Sequence, residues 1–481
     1  MLFSFFRILT YVLALVGLSF LVPIAVACLS GEVALLPAFL LPAVGAWGVA
    51  ILFYLKARRR PRVFDARNAF GVVGGIWFSV SLFGALPLYF SGTFPSFTDA
   101  FFESVSGFTT TGASVLGDLE ALPRCINLWR CQTHWLGGMG VIALAVALIP
   151  MLGIGGFRLI KAETTGPDKE KVTTFIANTA KSLWGIYFAL TVLLAVLLHL
   201  VGFGLVDALA HAFSTLGTGG FSTRNASIGS FANPAAEWII TVFMLLASVN
   251  FALYYRLLTG RIREVVRDSE LKTFVALMVV AFAVAIVVEA SGTSWNMKTI
   301  RDVVFQLTSV VSTTGYMTAD YLTWTPAAQV VVFALFFVGG CSGSTAGGIK
   351  VIRWTILAKQ VKNELLRLLH PHQVFTVTIN GSAGRETFVP VVAVFIFSYL
   401  LLVLLTMFFG ALAGLDIQTA FTAAASMVGN VGPAFGQLGP TANYGFLAAP
   451  LKWWYAFAML AGRLEIYTLL ILIGRWSVRK G

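Results

Sequence analysis

Four short polar segments, each bearing a glycine, interrupt a chain that otherwise reads as membrane-embedded: residues 109–113, 218–221, 312–316 and 429–433. Backbone that is neither helix nor strand survives at membrane depth only when buried in protein or lining water. Four similar stretches, each too short to cross a bilayer, are what is needed to ring an ion with carbonyl oxygens. Their aligned glycines, Gly112, Gly220, Gly315 and Gly432, stand 108, 95 and 117 residues apart.

The rest of the chain supports that setting. With 58% hydrophobic and 11% charged residues and a mean hydropathy of +0.85, 481 residues exceed what a soluble core requires. Ten apolar stretches come near the roughly 20 residues that span hydrocarbon: 8–28, 35–55, 69–89, 135–152, 183–205, 238–255, 273–290, 327–338, 388–409 and 454–473. The first lacks a small-residue cleavage site and is followed at once by a second span, so it is expected to stay in the mature protein. The net charge of +12 invites a nucleic-acid reading, but alternating spans put 26 of the 33 Lys and Arg, Lys350 among them, on the side of the termini and 6, Arg130, Arg301 and Lys452 among them, opposite. That bias is the positive-inside pattern and predicts cytoplasmic termini. The basic loops suit membrane lipid headgroups or an acidic patch on a soluble partner, and no nucleic acid is expected.

Semi-apolar segments of ten to twelve residues precede the glycines at 99–108, 207–216, 302–311 and 417–428. They are too short to cross and read as re-entrant helices. An aspartate sits thirteen residues before the glycine in three units (Asp99, Asp207, Asp302), whereas Thr419 holds that place in the fourth. The predicted fold is therefore an all-α polytopic membrane protein. Four span, half-helix, glycine segment, span repeats surround one pore, at 68–160, 161–262, 263–370 and 371–481, after an N-terminal transmembrane hairpin and basic loop at 1–67. Glycine permits φ above zero without steric cost. Thr110, Thr111, Thr218, Thr313 and Thr314 can supply or steady an oxygen ligand, and short helices ending here would aim negative C-termini at the pore. Both features favour a cation. Close helix packing by small residues is the competing explanation for any single segment.

Two features bear on gating. The eighth span runs into 339–348, where five glycines cannot sustain a helix at roughly 1 kcal/mol each. Gly340, Gly343, Ser344, Thr345, Ala346 and Gly347 are expected to form a break on the cytoplasmic side of the filter, either a loop across the path or a flexible exit from the membrane. Arg463 lies inside the last span, and such a charge must face water or a partner. A place facing the cavity, where it would repel a resting cation, stands beside pairing with a carboxylate or carbonyls of another helix. Glu465, two residues on, points elsewhere on a helix.

Other motifs carry less. Cys125 and Cys131 flank an outward loop and could pair only if it folds back. His134 and Gly137, Gly138 and Gly140 suggest tight packing. Gly153, Gly155 and Gly156 form an incomplete dinucleotide-type string with no strand before it. No catalytic residue, zinc spacing or nucleophile elbow is found, so an intramembrane enzyme is a weak reading, and no organic cofactor is expected. A K+ symporter coupled to H+ or Na+ is a closer rival, although such machines usually carry midplane acids and inverted repeats.

The segments FTTTGAS, TGGFST, STTGY and GNVGPAFG, in this order, resemble the four pore loops of the Trk/Ktr/HKT superfamily of potassium transporters. The extra hairpin and the length are most similar to its bacterial TrkH branch. The resemblance covers essentially the whole chain. It implies a pseudo-fourfold, channel-like pore mediating K+ uptake across the bacterial inner membrane, with K+ as substrate held by backbone carbonyls. It also implies a homodimer controlled by a cytosolic nucleotide-binding TrkA-like subunit. The filter would then comprise Thr110, Thr111, Gly112, Thr218, Gly219, Gly220, Thr313, Thr314, Gly315, Asn430, Val431 and Gly432. A glycine at the first segment goes with K+ selectivity in this superfamily. Asn430, Val431 and Pro433 depart from the Thr-rich pattern. An intramembrane gating loop at 339–348 and a matching arginine at 463 are implied as well.

Overall fold

The computed structural model describes residues 2–57, 69–152, 169–292, 296–383 and 388–466. The glycine string at 153–156, much of the basic loops and the last span beyond residue 466 lie outside them.

The N-terminal hairpin is α1 (Leu2–Ser19), α2 (Leu21–Leu29) and α3 (Leu36–Ala57). Repeat 1 follows as α4 (Ala69–Phe90), the short α5 (Phe97–Phe108) and α6 (Arg124–Leu152). Repeat 2 is α7 (Lys169–Leu200), the short α8 (Leu205–Gly217), and α9 (Pro234–Ser248) continuing into α10 (Phe251–Leu258). After α11 (Ile262–Arg267), repeat 3 is α12 (Ser269–Gly292), the short α13 (Met297–Val311), α14 (Pro326–Leu335) and α15 (Val351–Leu369). Repeat 4 is α16 (Phe388–Leu412), the short α17 (Ile417–Gly429) and α18 (Ala449–Arg463). A two-stranded hairpin, Thr378–Ile379 against Ser382–Ala383, turns through Asn380 and Gly381, both with φ near +50° to +80° as a primed turn requires.

The short helices overlap the segments read from hydropathy, but three start earlier, the third by five residues at Met297, where local chemistry sets the start. Ser96, Asn296 and Asp416 cap three of them, accepting from the N–H groups of Asp99 (3.1 Å), Thr299 (2.7 Å) and Thr419 (3.0 Å). The repeats then close on one another by a single rule. Helix α6 packs on α8, α9 on α13, and α18 on α5, while Phe333 of α14 meets Phe421 of α17 at 5.9 Å. The outgoing helix of each repeat thus covers the short helix of the next, and the fourth returns to the first. The hairpin is anchored outside this ring: the Glu32 carboxylate accepts from Arg124 N (2.7 Å) and Cys125 N (2.9 Å), capping α6.

Among the described residues, which end at 466 inside the tenth stretch, six helices are long and apolar enough to cross a membrane, or seven if the bent pair α9 and α10 is one span. The 238–255 stretch bends by 93° at Val249–Asn250, and the 327–338 stretch is helical only to Leu335. The bend has a local cause. Backbone of the 339–348 loop takes over the helix's own partners: Cys341 N donates to Ser248 O (2.8 Å), and Phe251 N to Gly343 O (3.2 Å). Cys125 and Cys131 lie six apart on α6 rather than in an outward loop, and both are buried and free.

Candidate functional site

All four short helices end alike. The residue two before each aligned glycine is left-handed although none is glycine: Thr110, Thr218, Thr313 and Asn430 have φ of 53–55°. The next residue's N–H then reaches back five positions: Thr111 to Ser106 O (2.8 Å), Gly219 to Ser214 O (2.9 Å), Thr314 to Ser309 O (2.9 Å), Val431 to Ser426 O (3.0 Å). This is the Schellman closure, built on residues that pay of order 1 kcal/mol or more to adopt it. Each terminus therefore stops short and turns its chain into an extended segment at the same depth.

The aligned glycines follow, again left-handed, with φ of 80°, 81°, 77° and 101° at Gly112, Gly220, Gly315 and Gly432. What each glycine touches defines the site. A Cβ on Gly112 would stand 2.0 Å from Gly219 O, on Gly220 1.9 Å from Thr314 O, on Gly315 2.3 Å from Val431 O, and on Gly432 2.4 Å from Thr111 O. Repeat 1 faces 2, 2 faces 3, 3 faces 4, and 4 faces 1. The contacts form a closed ring, with one main-chain oxygen from every repeat at one level.

Side chains brace this ring from behind. Asn430 Nδ2 donates to Thr111 Oγ1 (2.9 Å) and Met459 O (2.9 Å), so the fourth segment is tied to the first despite its divergent sequence. His134, given no chemistry from sequence, is fully buried behind the second segment. It lies 3.2 Å from Ser214 Oγ and is stacked on Phe221 at 4.2 Å. A side chain at Gly219 would strike its ring at 2.2 Å. The glycines beside it do serve close packing, since a Cβ on Gly137 would stand 2.0 Å from Phe108 O.

Ion pairs were invisible to the topology count, which placed Arg130, Arg301 and Lys452 outside the membrane; Arg301 pairs with the buried Glu237. Arg130 is fully buried on α6 and pairs with Glu103 of α5 at 2.6 Å; Glu103 also accepts from Ser114 Oγ (2.9 Å) and Val115 N (3.0 Å) just after the first glycine. Lys452 pairs with Asp99 at 2.6 Å, joining α18 to α5. Glu103→Gln is expected to destabilise by about 3–5 kcal/mol, because it strands a buried guanidinium. Thermal unfolding in detergent checks this: a clear drop for Glu103→Gln, partly recovered in Glu103→Leu/Arg130→Met, is the expected result, and an unchanged midpoint contradicts it. At the loops beyond, Asn225 bridges Asp118 Oδ1 (3.1 Å) and Leu119 N (2.6 Å), and its amide holds the Asp118 carboxyl below the usual range.

The 339–348 loop is ordered and central. Thr345 Oγ1 donates to Leu216 O (2.9 Å) in repeat 2, and Gly347 N to Thr313 Oγ1 (2.6 Å) in repeat 3. Gly347 is pressed against Gly429 O in repeat 4, and Gly138 of repeat 1 faces the Thr345 methyl. The loop thus touches all four repeats. Internally, Gly340 packs on Ala346, Gly343 takes φ +73° beside Asn250, and Ser344 Oγ donates to Cys341 O (2.6 Å). Arg463 Nη1 donates to Thr345 O of the loop at 2.8 Å. Its Nε and Nη2 have no hydrogen-bond partner among the described residues. Glu465 does point elsewhere, to Arg353 at 2.5 Å.

Sequence reasoning missed two more loop contacts. Lys350, counted among the cytoplasmic charges, is buried and its ammonium donates to Ala346 O. One Glu270 oxygen accepts from both Ser342 N (2.7 Å) and Ile352 N (3.1 Å), clasping the loop's two limbs.

A ring of four re-entrant helices with left-handed ends, closed by carbonyls and backed by an ordered loop, defines a polytopic membrane protein of the pore-loop class. The family model of TrkH, described as a cation transport protein, matches residues 48–475, and the chain belongs to that family. It is 38% identical over 476 residues to the Trk system potassium uptake protein TrkH of Halomonas elongata, covering 97% of each chain. It is also 38% identical over 433 residues to the Escherichia coli K12 protein of the same name, 89% of each. The crystal structure of the potassium transporter TrkH from Vibrio parahaemolyticus superposes with a TM-score of 0.89 at 36% identity, covering 98% of both chains.

Proposed function

We propose that this chain is the ion-translocating subunit of a bacterial K+ uptake system, with the carbonyls of Thr111, Gly219, Thr314 and Val431 serving as one level of K+ ligands. The observation that carries the reading is the closed ring of glycine-to-carbonyl contacts running through all four repeats. Main-chain oxygens at fixed spacing can substitute for the water around a dehydrated monovalent cation. The C-terminal ends of four short helices add negative potential at the inner side. Thr110, Thr218, Thr313 and Asn430 hold the turns that set the spacing, and Gly112, Gly220, Gly315 and Gly432 admit the neighbouring oxygens. The loop at 339–348, held by Arg463, closes the inner side.

The same reading assigns the five segments 1–67, 68–160, 161–262, 263–370 and 371–481 to hairpin and repeats, and places both termini in the cytoplasm on the strength of the positive-inside bias. It takes the assembly as a homodimer in the inner membrane, controlled by a cytosolic nucleotide-binding TrkA-like subunit. No chemistry is catalysed and no organic cofactor is used. The repeats share one orientation, which favours a channel-like path over symport with H+ or Na+. Liposome currents test this. A reversal potential that follows the K+ gradient alone, whatever the Na+ and pH gradients, is expected; one that tracks a second ion rejects the channel reading.

A further inference from the structure

A cavity of about 910 Å³ opens beside the stem of the loop, between α12, α14, α15 and α16. Its lining is mainly apolar, with Leu277, Phe337, Ile349, Ile396 and Leu400, and Ala358 leaves room on the α15 side. Lys359 and Lys362 also line it, and no carboxylate is among its described lining residues. Lys359 spends one proton on Thr378 O (2.7 Å), and Lys362 is exposed. The lysines sit two to three turns along α15, on the side where the positive-inside bias puts the anionic leaflet. An apolar slot between membrane helices with two lysines on the α15 side of its lining has the chemistry that holds an anionic phospholipid.

We propose that an anionic phospholipid occupies this slot, its acyl chain against Leu277, Ile396 and Leu400 and its phosphate at Lys359 and Lys362, and that it steadies the loop. The slot's inner wall is the loop's own stem. Gly339 N donates to Ile349 O (2.9 Å), and Trp354 Nε1 to Phe337 O (3.1 Å), so a chain filling the slot packs directly on the closed arrangement. The steadying effect rests on the gating role proposed above; the lipid site does not.

Native mass spectrometry of the purified full chain separates the two. With added phosphatidylglycerol or phosphatidylcholine, wild type is expected to retain phosphatidylglycerol preferentially. Lys359→Gln/Lys362→Gln should weaken that retention about tenfold, the scale of losing two headgroup contacts. Ala358→Trp should exclude both lipids by filling the slot. Equal retention of the two lipids by wild type, or unchanged phosphatidylglycerol in the double variant, overturns the site. A dimer dissociated by Ala358→Trp with lipid retention unchanged gives the slot to a second copy and overturns it as well. For the coupling, K+ flux without a regulatory subunit should rise in phosphatidylcholine vesicles and fall when phosphatidylglycerol is added. Equal flux in the two vesicles, with preferential binding intact, overturns the coupling alone.

Discussion

Gly112→Ser is expected to lower the preference for K+ over Na+ by about tenfold or more, the equivalent of ~1.4 kcal/mol between the two ions. The reason is steric before it is electronic. A Cβ at this position would stand 2.0 Å from Gly219 O, and the φ of +80° is one that serine adopts only under strain. One of the two strands must therefore retreat, carrying a carbonyl away from the level it shares with three others. A ring that opens on one side loses its spacing, and spacing is what matches the oxygens to a particular cation. Gly220→Ser and Gly315→Ser should act similarly, since their neighbours stand at 1.9 and 2.3 Å. Gly117→Ala is the internal control, because the nearest atom to a Cβ there is 3.9 Å away. Competition between Rb+ and Na+ in vesicle uptake reads the effect. Unchanged selectivity in Gly112→Ser, or an equal loss in Gly117→Ala, removes the ring from the selectivity account.

Arg463→Ala should raise K+ flux in the absence of any regulatory subunit by about ten- to a hundredfold. The contact removed is a charge-assisted hydrogen bond from Nη1 to Thr345 O in a buried setting, of the kind worth roughly 1.5–3 kcal/mol. A two-state loop shifts its population by the matching factor if that contact belongs only to the closed arrangement. Arg463→Lys should fall between, since a point charge can reach the carbonyl but not with the fork of a guanidinium. Deleting residues 343–346 removes the receiving carbonyl together with the Thr345 contacts to Leu216 and Ala247, and should open the path further. Wild-type basal flux in both variants would take the gating role away from this pair.

The repeating parts were legible because they are local. Polar glycine segments, semi-apolar half-helices and the thirteen-residue interval from Asp99, Asp207 and Asp302 all lie within one unit. The fourth unit looked degenerate because its acid had moved: Asp416 caps α17 three residues ahead of Thr419. A repeat that did persist went unread, the serine six residues before each glycine, whose carbonyl anchors the turn. Val431 breaks the Thr pattern without consequence for the ring, since only its carbonyl faces Gly315. Contacts created by ring closure were beyond reach. Asp99 and Lys452 stand 353 residues apart and meet only because repeat 4 returns to repeat 1. Arg130 was assigned to the outside because charge counting cannot foresee a carboxylate waiting on a neighbouring helix. The glycine-rich stretch was read either as a loop across the path or as a flexible exit; its small residues permit close approach to Gly429, Ser248 and Asn250, and hydrogen bonds pin it.

Crystals of the protein equilibrated in Rb+ and measured at the rubidium absorption edge give the most direct answer. The account requires an anomalous peak on the axis, coordinated by the oxygens of Thr111, Gly219, Thr314 and Val431. A map with Rb+ elsewhere along the pore and none within reach of those four oxygens contradicts it.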